Sequence, residues 1–257
     1  MSLRNTRRLV ALALVVLTAA AAWLMPRHPG VAGMIVALVA AVGLFQWRAH
    51  VASGRVTALA LRCDLDALEV LATRGSVLER TQALIAFLHH GGFDRGVSVS
   101  LCVCGTCEND ALSAELESLC RIARLSWGGD GVRAYALTRE LAPLGEELSE
   151  PVKELIARVR IVTRLVSYAA AEAEEPVTRG ARPEWVCTAL TFVESTSPAL
   201  LWPARLAAAR EAAARDDFEV AREHLAGMPC WPEGSPLERA RRDLVASVGA
   251  RGAAVSE

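Results

Sequence analysis

Residues 9–25 and 31–47 form two apolar stretches of 17 residues, and neither contains a charged side chain. Between them lies Pro26-Arg27-His28-Pro29-Gly30, a segment that breaks a helix and turns the chain. A 17-residue helix covers about 25 Å, so a flanking residue or two completes a bilayer crossing. Trp23 and Trp47 stand near the ends of their stretches, where amphipathic rings favour the headgroup region. The pattern predicts a transmembrane helical hairpin over residues 9–47, preceded by a short cytoplasmic N-terminus, 1–8.

Basic residues orient the hairpin. Arg4, Arg7 and Arg8 precede the first stretch, and Arg48, Arg55 and Arg62 follow the second. The connector carries only Arg27, beside His28. The positive-inside bias places both termini in the cytoplasm. The alternative is a cleaved signal peptide, with the run Ala19–Ala22 serving a peptidase. The second stretch would then remain as the anchor, and the large domain would still lie inside the cell.

Beyond residue 48 the apolar positions adopt helical spacing. Val152, Leu155, Ile156, Val159, Val162 and Val166 predict a long helix over 151–171. Leu237, Ala240, Leu244 and Val248 predict another over 235–248, with Arg239, Arg241, Arg242 and Asp243 facing solvent. Ser76-Val-Leu-Glu79 reads as a capping box. Ser197-Pro198 and Ser235-Pro236 each put a cap before a proline in the first turn. Residues 172–183 read as a loop, and 249–257 as a disordered tail.

A short pattern recurs between these segments. Its copies are Cys63-Asp-Leu-Asp-Ala-Leu68, Gly91-Gly-Phe-Asp-Arg-Gly96, Gly128-Gly-Asp-Gly-Val-Arg-Ala134 and Arg215-Asp-Asp-Phe-Glu-Val-Ala221. In each, Gly or Asp ends one helix and caps the next, and a small residue one turn later lets the pair approach closely. This resembles the tetratricopeptide repeat, whose inner turn commonly reads Gly-Asp-(Tyr/Phe)-(Asp/Glu)-x-Ala. Ala67, Gly96, Ala134 and Ala221 match the family's small position, at separations of 29, 38 and 87 residues. The family's Trp and Tyr positions on the first helix are mostly missing here. The resemblance implies an all-α fold in which a tetratricopeptide-like α-solenoid occupies 48–248 and holds a peptide or partner helix in its concave face.

One stretch runs against this scheme. Residues 97–103 read Val-Ser-Val-Ser-Leu-Cys-Val, a period-two strand signal. With a second candidate strand at 132–137, it defines the alternative, a membrane-tethered α/β sensor or redox domain. Cys102, Cys104 and Cys107 would be its chemistry, as metal ligands or redox thiols, with Cys120 a possible fourth ligand. The recurring corners favour helices, and cysteine also packs as a small apolar residue.

Composition narrows the function. A net charge of −1 argues against nucleic-acid binding. Seven irregularly spaced cysteines in a chain placed in the cytoplasm suggest reduced thiols. His89 and His90 read as the last turn of a helix, favoured there by the dipole, and His224 as a residue of the last helical pair. Lys153, Arg158, Arg160 and Arg164 alternate with Glu150 and Glu154 in a solvated face. Gly33, Ala37 and Ala40 would suit close contact between membrane helices. No phosphate loop, nucleophile elbow or His-Glu-x-x-His is present. The chain is therefore expected to be a membrane-anchored, non-enzymatic scaffold that binds a protein or peptide partner and meets lipid through residues 9–47. No catalytic, cofactor-binding or metal-binding residue is assigned.

Overall fold

The computed structural model describes residues 15–95, 110–146, 148, 150–175 and 183–254. Every regular element among them is a helix. The chain divides into two units, Met1–Gly54 and Arg55–Glu257. Residues 97–103 and the Cys102/Cys104/Cys107 cluster lie outside the described residues, as do 1–14.

In the first unit a helix, α1, covers Val15–Leu24 and gives way to a turn over 25–27. Pro29 opens α2, Pro29–Leu61, where its missing N–H costs nothing. α2 is long and apolar enough to cross a membrane near the N-terminus. It does not stop at Trp47, as the hydropathy pattern had it, but runs on unbroken to Leu61. No proline interrupts 48–61, and Val56 and Ala60 are fully buried near its end. The expected boundary at residue 48 thus falls inside a helix. Gly33, Ala37 and Ala40 are exposed, and nothing lies within 4 Å of where a Gly33 Cβ would be.

The second unit contains α3 (Leu65–Arg74), α4 (Val77–His89), α5 (Asp110–Gly128), α6 (Gly131–Glu140), α7 (Glu150–Glu174), α8 (Glu184–Thr196), α9 (Leu201–Ala214), α10 (Phe218–Leu225) and α11 (Pro236–Ala254). α7 packs against α5, α6, α8 and α9. Its Ile156, Val159, Val162, Leu165, Val166 and Tyr168 are buried in one core with Leu68, Leu84, Phe87, Leu116 and Leu119.

One corner geometry occurs three times. Cys63, Gly129 and Asp216 all take left-handed backbone, with φ of 54°, 90° and 61°. The residue after each is an aspartate, and its N–H reaches back five residues. Asp64 donates to Leu59 O at 3.1 Å, Asp130 to Leu125 O at 3.0 Å and Asp217 to Ala212 O at 2.9 Å. These bonds satisfy orphan carbonyls at the helix end, as in a Schellman motif. Asp64 and Asp217 then cap the next helix, accepting from the N–H groups of Ala67 and Val220. Four residues beyond each aspartate, Leu68, Ala134 and Ala221 are 0% exposed. The first corner therefore buries Leu68 rather than the expected Ala67.

The third expected member differs. Gly91 is left-handed (φ 95°), but it leads into a 3-10 turn, Gly92–Arg95, and Gly96 lies outside the described residues. Asp130 also departs from expectation, because its side chain makes no capping bond. Glu174, the last residue of α7, takes that place and accepts from Gly131 N at 2.7 Å and Val132 N at 3.2 Å. A carboxylate on a helix N-terminus answers both its free donors and its dipole.

This seating corrects two expectations. Residues 132–137 are helical, so the α/β alternative loses one of its two strands. Residues 172–174 continue α7 instead of starting a loop. Likewise α11 runs to Ala254, where a disordered tail from 249 was expected. Ser197 makes no side-chain cap and precedes a 3-10 turn, Pro198–Leu200. The Ser76/Glu79 capping box is present with both reciprocal bonds.

Gly131 is where α6 meets α7 most intimately. A Cβ there would collide with the backbone of Ala170 and Ala171. Gly131→Ala should therefore destabilise the protein by about 1–3 kcal/mol through overpacking. Gly128→Ala, with no atom within 4 Å of its Cβ, should be neutral or stabilising by up to about 1 kcal/mol. Denaturant midpoints of the full chain in detergent would separate the two; equal midpoints would contradict the close contact.

Candidate functional site

The corner between α5 and α6 opens onto a groove of about 740 Å³, lined also by α7, α9, α10 and α11. Trp127, Phe218 and Leu244 supply its apolar walls, and Glu172, Arg210, Arg239 and Asp243 its charges. α5, α7 and α9 all end beside it, at Gly128, Glu174 and Ala214. Their terminal carbonyls carry partial negative charge. Arg210 answers one of them directly, donating to Ser126 O at 3.0 Å. Burial lowers the pKa of Arg210, and the nearby Glu174 carboxylate opposes that shift.

Beside Arg210 lies a buried charge network. Arg215 pairs with Glu211 at 2.6 Å and with Glu172 at 3.4 Å, and donates to the Tyr168 hydroxyl at 2.8 Å. Glu211 and Glu172 are almost fully buried, so Arg215 sets a cation against two carboxylates inside the core. Tyr168 in turn stands edge-on to Tyr135 and Trp185, and Arg164 lies 4.6 Å over the Trp185 ring.

The remaining basic residues of the α7 face are engaged. Lys153 pairs with Glu150, Arg158 with Glu154, and Arg160 with Glu115 through two 2.7 Å bonds. The 160–115 pair joins α7 to α5 rather than forming part of a solvated face.

The two histidines stand at the end of α4, as expected, but away from solvent. His89 and His90 are buried, and burial holds both pKa values down at about 4. The His90 ring is neutral and fully paired: Nε2–H donates to Ala199 O at 2.9 Å, and Nδ1 accepts from the Trp231 indole at 3.0 Å. Protonating Nδ1 would set two N–H groups against each other. His89 Nδ1–H donates to Ile85 O at 3.0 Å, and its Nε2 lies 3.0 Å from the Thr163 hydroxyl.

Trp231 is held at its backbone as well, by Glu238. The Glu238 carboxylate accepts from Trp231 N at 3.0 Å, from Arg241 at 2.7 and 3.0 Å and from Arg242 at 2.8 Å. Its pKa falls to about 2, chiefly through the Arg241 bonds. Arg241, expected in solvent, is instead held against this carboxylate, while Arg242 is exposed as expected. Ser235 N is already bonded to Pro232 O, which leaves Glu238 free to reach Trp231. Neither that bond nor the His90–Trp231 pair, 141 residues apart, has a local signature.

Cys63 and Cys120 are buried, and burial raises both thiols to about 12. Among the described residues no group of three or more His, Cys, Asp or Glu could hold a metal. No protein family, curated protein or solved structure matches the chain.

The histidines set an acid limit on stability. Their folded pKa values lie below the ordinary 6.5, so folding favours the neutral rings. That stability is fully present above pH 6.5 and is lost as pH falls toward 4. Unfolding midpoints should drop between pH 7 and 5, with a change in tryptophan emission as Trp231 loses His90. Midpoints that stay flat over that range would contradict buried, neutral rings.

Proposed function

We propose that this chain is a membrane-anchored helical adaptor, holding a protein segment in the groove walled by Trp127, Phe218 and Leu244. The observation that carries the anchor is where large apolar side chains are exposed. Met34, Phe45 and Trp47 are 62–69% exposed, and Val15, Val16, Trp23, Leu38 and Leu44 exceed half. Only 6% of the most apolar stretch of α2 is buried. Such a surface is stable only against lipid or another apolar partner. In the second unit, large exposed apolar residues are scattered singly at Val70, Val132 and Val245.

A hairpin is supported by two less exposed stripes at helical spacing, Leu17, Ala20, Ala21 and Leu24 on α1 and Ala32, Ile35, Val39 and Val42 on α2. Both termini then face the cytoplasm, by the arginine distribution. The threefold corner is the feature that speaks for a tetratricopeptide-like stack. Tethering would raise the partner's effective concentration at the bilayer.

Two measurements test this reading. Cys187 and Cys230 are exposed, so a membrane-impermeant maleimide should label them only after cells are opened; labelling of intact cells would overturn the topology. A photo-crosslinker at exposed Ser247, in the groove, should capture a polypeptide that the same group at exposed Val70 does not. Equal capture from both positions, or none from Ser247, would remove the groove as the binding site.

A further inference from the structure

A second concave surface lies between α7 and α8. Val186, Ala189 and Val193 are the buried residues of α8. Trp185 and Phe192 flank that stripe, and their seven-residue spacing puts them on one side of the helix, about 10 Å apart. On α7, Ile161 and Arg164 stand one turn apart. These four residues, with Glu184 and Ala189, line a trough of about 480 Å³ whose walls are mostly apolar. Apolar walls with one or two placed polar groups are the usual make-up of a small-ligand site. The trough shares no lining residue with the groove walled by Trp127, Phe218 and Leu244.

The placed group is Arg164. Its guanidinium lies 4.6 Å from the centre of the Trp185 ring, and Trp185 is itself set edge-on to Tyr168 at 5.2 Å between centroids. A cation over a ring is held by the ring's quadrupole and uses none of its N–H donors there. Among the described residues no carboxylate pairs with Arg164, whereas Lys153, Arg158 and Arg160 on the same helix each have one. Glu184 also lines the trough, but it stands in the first turn of α8, where the helix dipole favours a carboxylate. The fold thus accounts for Glu184 and leaves the donors of Arg164 without an acceptor.

We propose that this trough binds a long-chain fatty acid. The acyl chain lies along Ile161, Trp185, Ala189 and Phe192, and the carboxylate sits on the Arg164 guanidinium. Burial of the chain supplies most of the affinity. The planar fork of Arg164 meets both carboxylate oxygens and fixes the direction of the ligand. Glu184 carries the same charge as the head group and opposes it, so its removal strengthens binding.

The full chain in phosphatidylcholine nanodiscs would be photolabelled with a diazirine-bearing tetradecanoic acid and mapped by mass spectrometry. Adducts are expected on Ile161, Trp185 or Phe192. Adducts on the exposed apolar side chains of α1 and α2, left by probe dissolved in the lipid, serve as the internal reference. Excess dodecanoate should remove the trough adducts, and dodecanol should not. Arg164→Gln should cut trough labelling about tenfold or more against the reference. Arg164→Lys should cut it less, because it keeps the charge without the fork. Glu184→Gln should raise it. Arg164 and Glu184 are both exposed, and the competition on the native protein decides the matter should a variant fail to fold. Labelling confined to α1 and α2, or unchanged in Arg164→Gln, would overturn the proposal. So would weaker labelling in Glu184→Gln, the mark of a zwitterionic ligand. Displacement by dodecyl phosphate at a lower concentration than dodecanoate would assign a phosphate head instead and overturn the fatty acid.

Discussion

Everything in the second unit depends on helices being allowed to touch nearly backbone to backbone. Ala169, Ala170 and Ala171 on α7 and Ala204, Ala207, Ala208, Ala209 and Ala212 on α9 are all at most 2% exposed. An alanine brings little apolar area of its own, so such faces contribute chiefly through the close approach they permit. Gly131 against Ala170 and Ala171 is the limiting case. The same junction supplies the electrostatics, since Glu174 at the end of α7 closes the N-terminus of α6. Packing and capping thus come from one helix, and each fixes the other's register.

Helix ends are the second economy of the fold. The Schellman-like corner leaves a carbonyl satisfied and an aspartate poised to start the next helix, without a linker. At Cys63 and Asp216 it requires left-handed backbone from a residue other than glycine, a cost of roughly 1–2 kcal/mol each. Longer-range bonds complete the pattern: the Trp202 indole donates to Leu61 O at 2.9 Å, Arg210 to Ser126 O and His90 to Ala199 O. Polar side chains are placed where helices stop. The groove is open at such a place, which is why it mixes aromatic walls with charge.

Local signals were legible in the sequence. The Ser76/Glu79 box, the long α7 pattern and the apolar face of α11 were all readable, because caps and period 3.6 act within a few residues. The corners were readable as corners, yet Ala67 was taken for the buried position that Leu68 occupies. One residue of register decides which side chain points inward. The strand reading of 132–137 failed because alternation over six residues also fits a short helix, and the carboxylate that caps that helix, Glu174, lies more than 35 residues away. His89 and His90 do end α4, but a helix end favours a charged imidazole only if water reaches it, and both rings are buried. The groove assembles from distant segments and leaves no spacing to find.

The central claim is that one corner geometry, used three times, holds paired helices together. Amide hydrogen exchange at the three corner aspartates tests it most directly. Asp64, Asp130 and Asp217 are exposed or half-exposed residues whose N–H groups are bonded back to Leu59, Leu125 and Ala212. In the full chain these three amides should exchange slowly, on the timescale of the adjoining helix interiors. Exchange as fast as an unstructured peptide at any of them would contradict the account.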